Sequence, residues 1–215
     1  MATHSPSLAT LLTLADSRLP TGGHVHSGGV EEAVTSRLVV DLTTLAAYLR
    51  RRIRTSGLVT ASVAAAVHRG DLTLAAADAE TDARTPAPAA RQSSRAQGRG
   101  LLRLARRVWP AAHWDDLGAR PHLALTAGRV GQAGGLQPEQ TALSLVYTTM
   151  TGSATAAQRL LALDPADVAA LTFELAGLCD ETAERAVAGL ADLSDPLLDE
   201  LTQLHAQRDR PLFAS

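Results

Sequence analysis

Apolar residues recur along this chain at a helical spacing almost from its start. Leu8, Leu11, Leu12 and Ala15 fall at i, i+3, i+4 and i+7, which makes one apolar helical face. Asp41 is a good N-cap for a helix whose stripe is Leu42, Leu45, Ala46, Leu49 and Ile53. Its other side carries Arg50, Arg51, Arg52 and Arg54, either a solvated face or a docking surface for an acidic partner. Gly57 is expected to separate that helix from Leu58–His68. That segment is apolar nearly all round and needs cover on every side. Gly70 ends it, and Asp71 restarts the chain into an alanine-rich helix.

Later elements follow the same rule. Leu101, Ala105, Val108 and Trp109 form one face before Pro110. His113-Trp114-Asp115-Asp116 reads as a surface turn, and residues 122–134 as a helix ending at Gly134-Gly135. Pro138 and Glu139 open a helix with Leu143, Val146, Tyr147 and Met150 as its buried set. It runs into Thr149–Thr155 and Gln158, a small polar stretch that suits tight helix packing or a polar groove. Asp164-Pro165-x-Asp167 and Asp195-Pro196 are helix starts. Val168, Leu171, Leu175 and Leu178 follow the first, and Leu197, Leu198, Leu201 and Leu204 the second. No regular strand pattern, internal repeat or long low-complexity segment is found. The expectation is an all-α, single-domain helical bundle of about eight to ten helices over residues 1–215. Prolines 86 and 88 interrupt it, and a mobile segment is expected near residues 83–92.

Composition supports this and removes several chemistries. Hydrophobic residues make up 46% of the 215 positions, but aromatics only 3%, so the core must be leucine, alanine and valine. Alanine and leucine are the strongest helix formers. The net charge of −2 gives no field that points to nucleic acid or an anionic membrane. All 20 basic residues are arginine, which excludes a Walker lysine and lysine-nucleophile chemistry. The single cysteine, Cys179, cannot form an internal disulfide and sits in an apolar helical pattern. No basic-then-apolar leader and no apolar stretch of about 18 residues is present. The reading is a soluble cytoplasmic protein.

Candidate chemistry concentrates in Leu14–Val34. Pro20 breaks a first helix at Leu19. Two glycine pairs, Gly22-Gly23 and Gly28-Gly29, then frame His24, His26 and Ser27 before a helix opens at Val30, Glu31 and Glu32. Two readings stand for His24-Val25-His26. In an extended segment both rings reach one side and suit nickel, zinc or copper. Otherwise they pack at a helix start. No GxSxG or other nucleophile motif occurs, and the chain is too short and too helical for a barrel hydrolase. An enzyme is not expected, and no cofactor is assigned.

The stretch LADSRLPTGGHVHSGGVEEAV resembles the N-terminal signature of the UreF family, the urease accessory proteins. Leu19, Pro20, Gly22, Ser27, Gly29 and Glu31 match it; His24 and His26 stand where many members carry Phe or Tyr. Gln97-Gly98-Arg99 fits a Gly-Arg step found there, while the prolines at 86 and 88 do not. The C-terminal tail, residues 205–215, also resembles the family's terminus through His205, Leu212, Phe213 and Ser215, with Ala206 and Pro211 departing from it. The resemblance implies an all-α accessory protein that joins a UreD/UreH-type protein and the UreG GTPase. Together they would deliver nickel to apo-urease while the GTPase is modulated, with a homodimer as a further association. Partner contacts would involve Leu19, Pro20, Gly22, Gly23, His24, His26, Ser27, Gly29, Glu31, Arg99, His205, Arg210, Leu212, Phe213 and Ser215. Two fates are open for the tail: a docking hook, or Phe213 folded back on its own domain. The alternative function is a urease-unrelated helical metal-binding or regulatory module that uses His24 and His26.

Overall fold

The computed structural model describes residues 8–16, 18–20, 26–192, 195–209 and 212–213. Among them are eleven α-helices and no strand. They are α1 (Leu8–Leu14), α2 (Val30–Thr35), α3 (Leu42–Arg52), α4 (Leu58–Arg69), α5 (Leu74–Ala83), α6 (Pro88–Val108), α7 (Leu123–Ala133), α8 (Pro138–Leu161), α9 (Pro165–Glu174), α10 (Ala176–Ala188) and α11 (Pro196–His205). Four of them (α6, α8, α9 and α11) open with proline in the first turn. There the missing N–H costs nothing, because no carbonyl awaits it. Asp41 caps α3 as expected, in a reciprocal box with Thr44.

Gly57 does not separate α3 from α4. Ile53–Gly57 forms a π-helical turn, and the path from Leu42 to Arg69 is unbroken. With α3 and α4 taken as one rod, the eleven helices become ten. Glycine serves there because a Cβ at residue 57 would stand 3.2 Å from the Arg52 carbonyl oxygen. The widened turn presses its own backbone together, and periodicity alone does not register such a change.

The rod crosses the molecule and divides two cores. α4 packs against α7, α8 and α10, and α8 against α2, α3, α9 and α10 as well. One core joins Leu45, Leu49, Ile53, Val146, Met150, Leu171, Leu175 and Leu201. The other joins Val63, Val67, Leu101, Leu102, Trp114, Leu125 and Val130. Burying each such leucine or valine contributes about 1.5–3 kcal/mol. The alanines of α4 let its neighbours come close, and a Cβ on Gly128 of α7 would lie 2.6 Å from the Ala64 carbonyl.

Several expected faces differ. Tyr147 and Val108 are partly open to solvent rather than buried, and Ala142 and Leu145 replace Leu143 and Tyr147 in the buried set of α8. As α8 meets helices on several sides, its buried surface is wider than one stripe. Trp114 is buried rather than part of a surface turn, its indole N–H donating to the Trp109 carbonyl at 2.9 Å. The alanine-rich helix after Asp71 is α5, capped by Thr73. The link Thr85–Ala87 is bridged by Arg91, whose Nη1 donates to the carbonyls of Thr85 (2.9 Å) and Pro86 (3.2 Å).

Candidate functional site: where the signature meets the tail

The glycine pair after Ser27 sets the site. Gly28 and Gly29 have φ of 61° and 87°, left-handed values that side chains rarely adopt. This turn aims the Gly28 carbonyl at α3, where it accepts from the Tyr48 hydroxyl (2.8 Å) and Arg52 Nη1 (2.6 Å). Ser153 of α8 donates to the Ser27 carbonyl at 3.3 Å. The segment is thus locked to the rod and to α8, and α2 starts in a fixed direction from Gly29.

Glu31 lies in the first turn of α2, where a carboxylate is favoured by the helix dipole. It is 4% exposed and accepts three hydrogen bonds. His205 Nε2 of α11 lies 2.7 Å from Oε2. The backbone N–H of Phe213 reaches Oε2 at 3.0 Å, and that of Leu212 reaches Oε1 at 2.9 Å. Burial alone would raise the pKa of this acid, but the three donors outweigh it and hold it below the usual carboxylate range. Next to it, Glu32 pairs with Arg208 at 2.8 Å. Phe213 packs against the first core, while Leu212 is 79% exposed.

The structure therefore brings together four expected site residues from opposite ends of the chain: Glu31, His205, Leu212 and Phe213. Phe213 folds back on its own domain, and Leu212 is the member of the pair that faces solvent. Ser27 and Gly29 are buried beneath the same turn, and Leu19 lines a neighbouring cavity. Pro20 is exposed. Arg99 is exposed on α6 and takes no part in these hydrogen bonds. Gly22, Gly23, His24, Arg210 and Ser215 lie outside the described residues. His26 is half-buried, its Nδ1 3.0 Å from the Ser93 hydroxyl of α6.

Three of the four arginines of the α3 cluster are engaged within the molecule. Arg50 pairs with Glu174, Arg51 with Asp195 at 2.6 Å, and Arg52 with the Gly28 carbonyl. Arg54 is exposed. The cluster chiefly fastens α9, α11 and the signature to the rod.

A cavity of about 260 Å³ adjoins the junction. His26, Ser93, Ser94 and Gln97 line it, with Thr148, Thr149, Thr151 and Ser153 from α8 and Asp195 and Thr202 beyond. Of the two readings of Thr149–Thr155, tight packing and a polar groove, both have support: Ser153 and Ala154 are buried, while Thr149, Thr151 and Ser153 line this cavity beside Gln97 of α6.

Sequence reading missed a second polar cluster. His122 is fully buried, with Nε2 2.8 Å from Asp82 Oδ1 and Nδ1 3.0 Å from the Ser94 hydroxyl. Arg95 binds Asp78 through two nitrogens at 2.9 Å and Asp82 at 3.1 Å. Asp78, Asp82 and His122 have ligand-type atoms close enough to hold an ion. Arg95 already supplies the positive charge there, so the cluster is an ion-pair network that joins α5, α6 and the start of α7. Desolvation lowers the His122 pKa, against the pull of Asp82. The only local clue was Gly98: a Cβ there would stand 2.2 Å from the Pro121 carbonyl, so α6 must seat directly on the residues that carry His122.

Comparison with known proteins agrees over nearly the whole chain. The family model described as UreF matches residues 39–176. A urease accessory protein UreF from Mycolicibacterium vanbaalenii is 76% identical over 212 residues, covering 97% of this chain and 99% of that protein. Proteins of the same description from Mycobacterium marinum and Mycobacterium tuberculosis are 72% and 69% identical over 209 residues, again covering 97% of this chain and 99% of each relative.

Proposed function

Because the chain belongs to the UreF family of urease accessory proteins, we propose that it is a non-catalytic scaffold for urease maturation. In this reading it assembles with a UreD/UreH-type protein and a UreG-type GTPase in the cytoplasm. The assembly promotes nickel insertion into apo-urease, and this chain modulates the GTPase. A homodimer is a further association of the same fold. Nickel is cargo of the assembly, and any contact of His24 and His26 with it is transient. Family membership sets aside the urease-unrelated module.

One observation carries the reading: the N-terminal signature and the C-terminal tail share the Glu31 carboxylate. The two segments whose residues carry the sequence resemblance are thereby one surface, with Leu212 presented outward. Leu212 gives that surface an apolar anchor, and Arg208 with Glu32 gives it a charged surround. The chemistry required of such a surface is recognition and conformational coupling.

Co-expression with a tagged UreG-type GTPase and a UreD/UreH-type partner, followed by size exclusion, tests this. A ternary peak that is lost on deleting Leu212–Ser215 is the expected outcome. A lone chain that elutes apart from both folded partners would overturn the proposal. Nickel titration of the isolated chain should show no tight stoichiometric site that depends on His24 and His26.

A further inference from the structure

We propose that Glu31 is the latch of a C-terminal strap: ionised, it holds Leu212 and Phe213 against α2, and without its charge the strap is released. Beyond Asp209, the hydrogen bonds made by the described strap residues all end on this carboxylate. They come from the N–H groups of Leu212 and Phe213. Such bonds to an ionised acceptor are about twice as strong as neutral ones. Among the described residues beyond Asp209, the remaining hold is the Phe213 ring on the first core, since Leu212 is mostly in solvent. Upstream, Arg208 rests on Glu32, whose side chain shares the same first turn of α2.

The arrangement is poised rather than permanent because its acceptor is single. An amide at position 31 has one acceptor oxygen, and its NH₂ group would face a strap N–H or His205. Either choice turns the NH₂ group toward a half-buried strap N–H, that of Leu212 or of Phe213, and takes away its acceptor. Release would uncover Phe213 and leave Glu31 with His205 alone. The surface proposed above would then separate into two halves. The latch deepens that reading and rests on it for its purpose, while the strap's attachment is a property of the isolated chain.

Hydrogen exchange on the isolated full chain tests the latch without any partner. In Glu31→Gln the amides of Leu212 and Phe213 should exchange at least tenfold faster than in the parent, with the amides of α8 unchanged. Arg208 should become a site of rapid tryptic cleavage. Should Glu31→Gln disturb the bundle, Leu212→Pro decides instead: it deletes one strap donor and leaves the carboxylate intact, and the Phe213 amide should again lose protection. Protection equal to the parent's in both variants would overturn the latch. A strap that opens in both variants while partner assembly fails in the parent would fault the scaffold reading alone.

Discussion

At the scale of single residues, burial decides which groups are chemically available. Cys179 is packed against Met150, sulfur to sulfur at 3.7 Å, and burial pushes its thiol up to about 11. A thiol so protonated and enclosed is a poor nucleophile. Ellman's reagent at pH 8 should therefore find no reactive thiol in the folded chain and one per chain in denaturant. Rapid labelling of the native protein would contradict this burial. The apolar pattern around Cys179 was enough to place it inside. His122 was not legible in the same way. Its partners Asp82 and Ser94 lie 40 and 28 residues away in the chain, and no local period links them. Glu31 was legible only as a family match, since nothing in a helix-start glutamate announces three donors from the far end of the sequence.

At the scale of helices, glycines separate two roles. Gly98 of α6 faces the backbone of residues 121 and 122, whereas Gly152 of α8 has open space where a Cβ would go. Gly98→Ala forces apart two backbones that have nowhere to yield. It should cost about 2 kcal/mol and lower the melting temperature by about 4–8 °C. Gly152→Ala should instead gain about 0.5–1 kcal/mol, through helix propensity. Calorimetry on the two variants checks both, and a Gly98→Ala protein as stable as its parent would contradict the close seating of α6. Helix existence was readable from period and caps: Asp41, Asp164 and Asp195 each cap where expected. Joints were less so. A π turn differs from an α turn by one residue and keeps the same apolar residues, so Gly57 read as a stop.

At the scale of the whole molecule, five of the shifted titratable groups (Glu31, Asp82, Asp195, His68 and His122) act in one direction with pH. Glu31, Asp82 and Asp195 have lowered pKa values: in each, burial raises the value and hydrogen-bonded partners outweigh it. Each contributes stability above its ordinary value, 4.5 for Glu31 and 3.8 for the aspartates. That contribution is lost as the pH falls through the lower folded value. His68 and His122 are lowered by desolvation from an ordinary 6.5. Below that, the unfolded chain takes up the proton first, and the fold weakens. Asp199, raised by burial, works in the opposite direction. Urea midpoints should fall from pH 7.5 to 5.5 as the histidines act, and further below pH 4.5. Each group can contribute a slope of up to about 1.4 kcal/mol per pH unit. A midpoint unchanged from pH 7.5 to 4 would contradict the assignment. The all-α class was plain from composition and period, because leucine and alanine leave little else to build with. The junction was not, because it closes a span of 181 residues between Glu31 and Leu212. Closing so long a span is slow relative to local helix formation. On the ribosome, Glu31 therefore emerges long before its last two donors exist. The contact between signature and tail forms only after translation has passed residue 213, so α2 is made long before its carboxylate finds these donors.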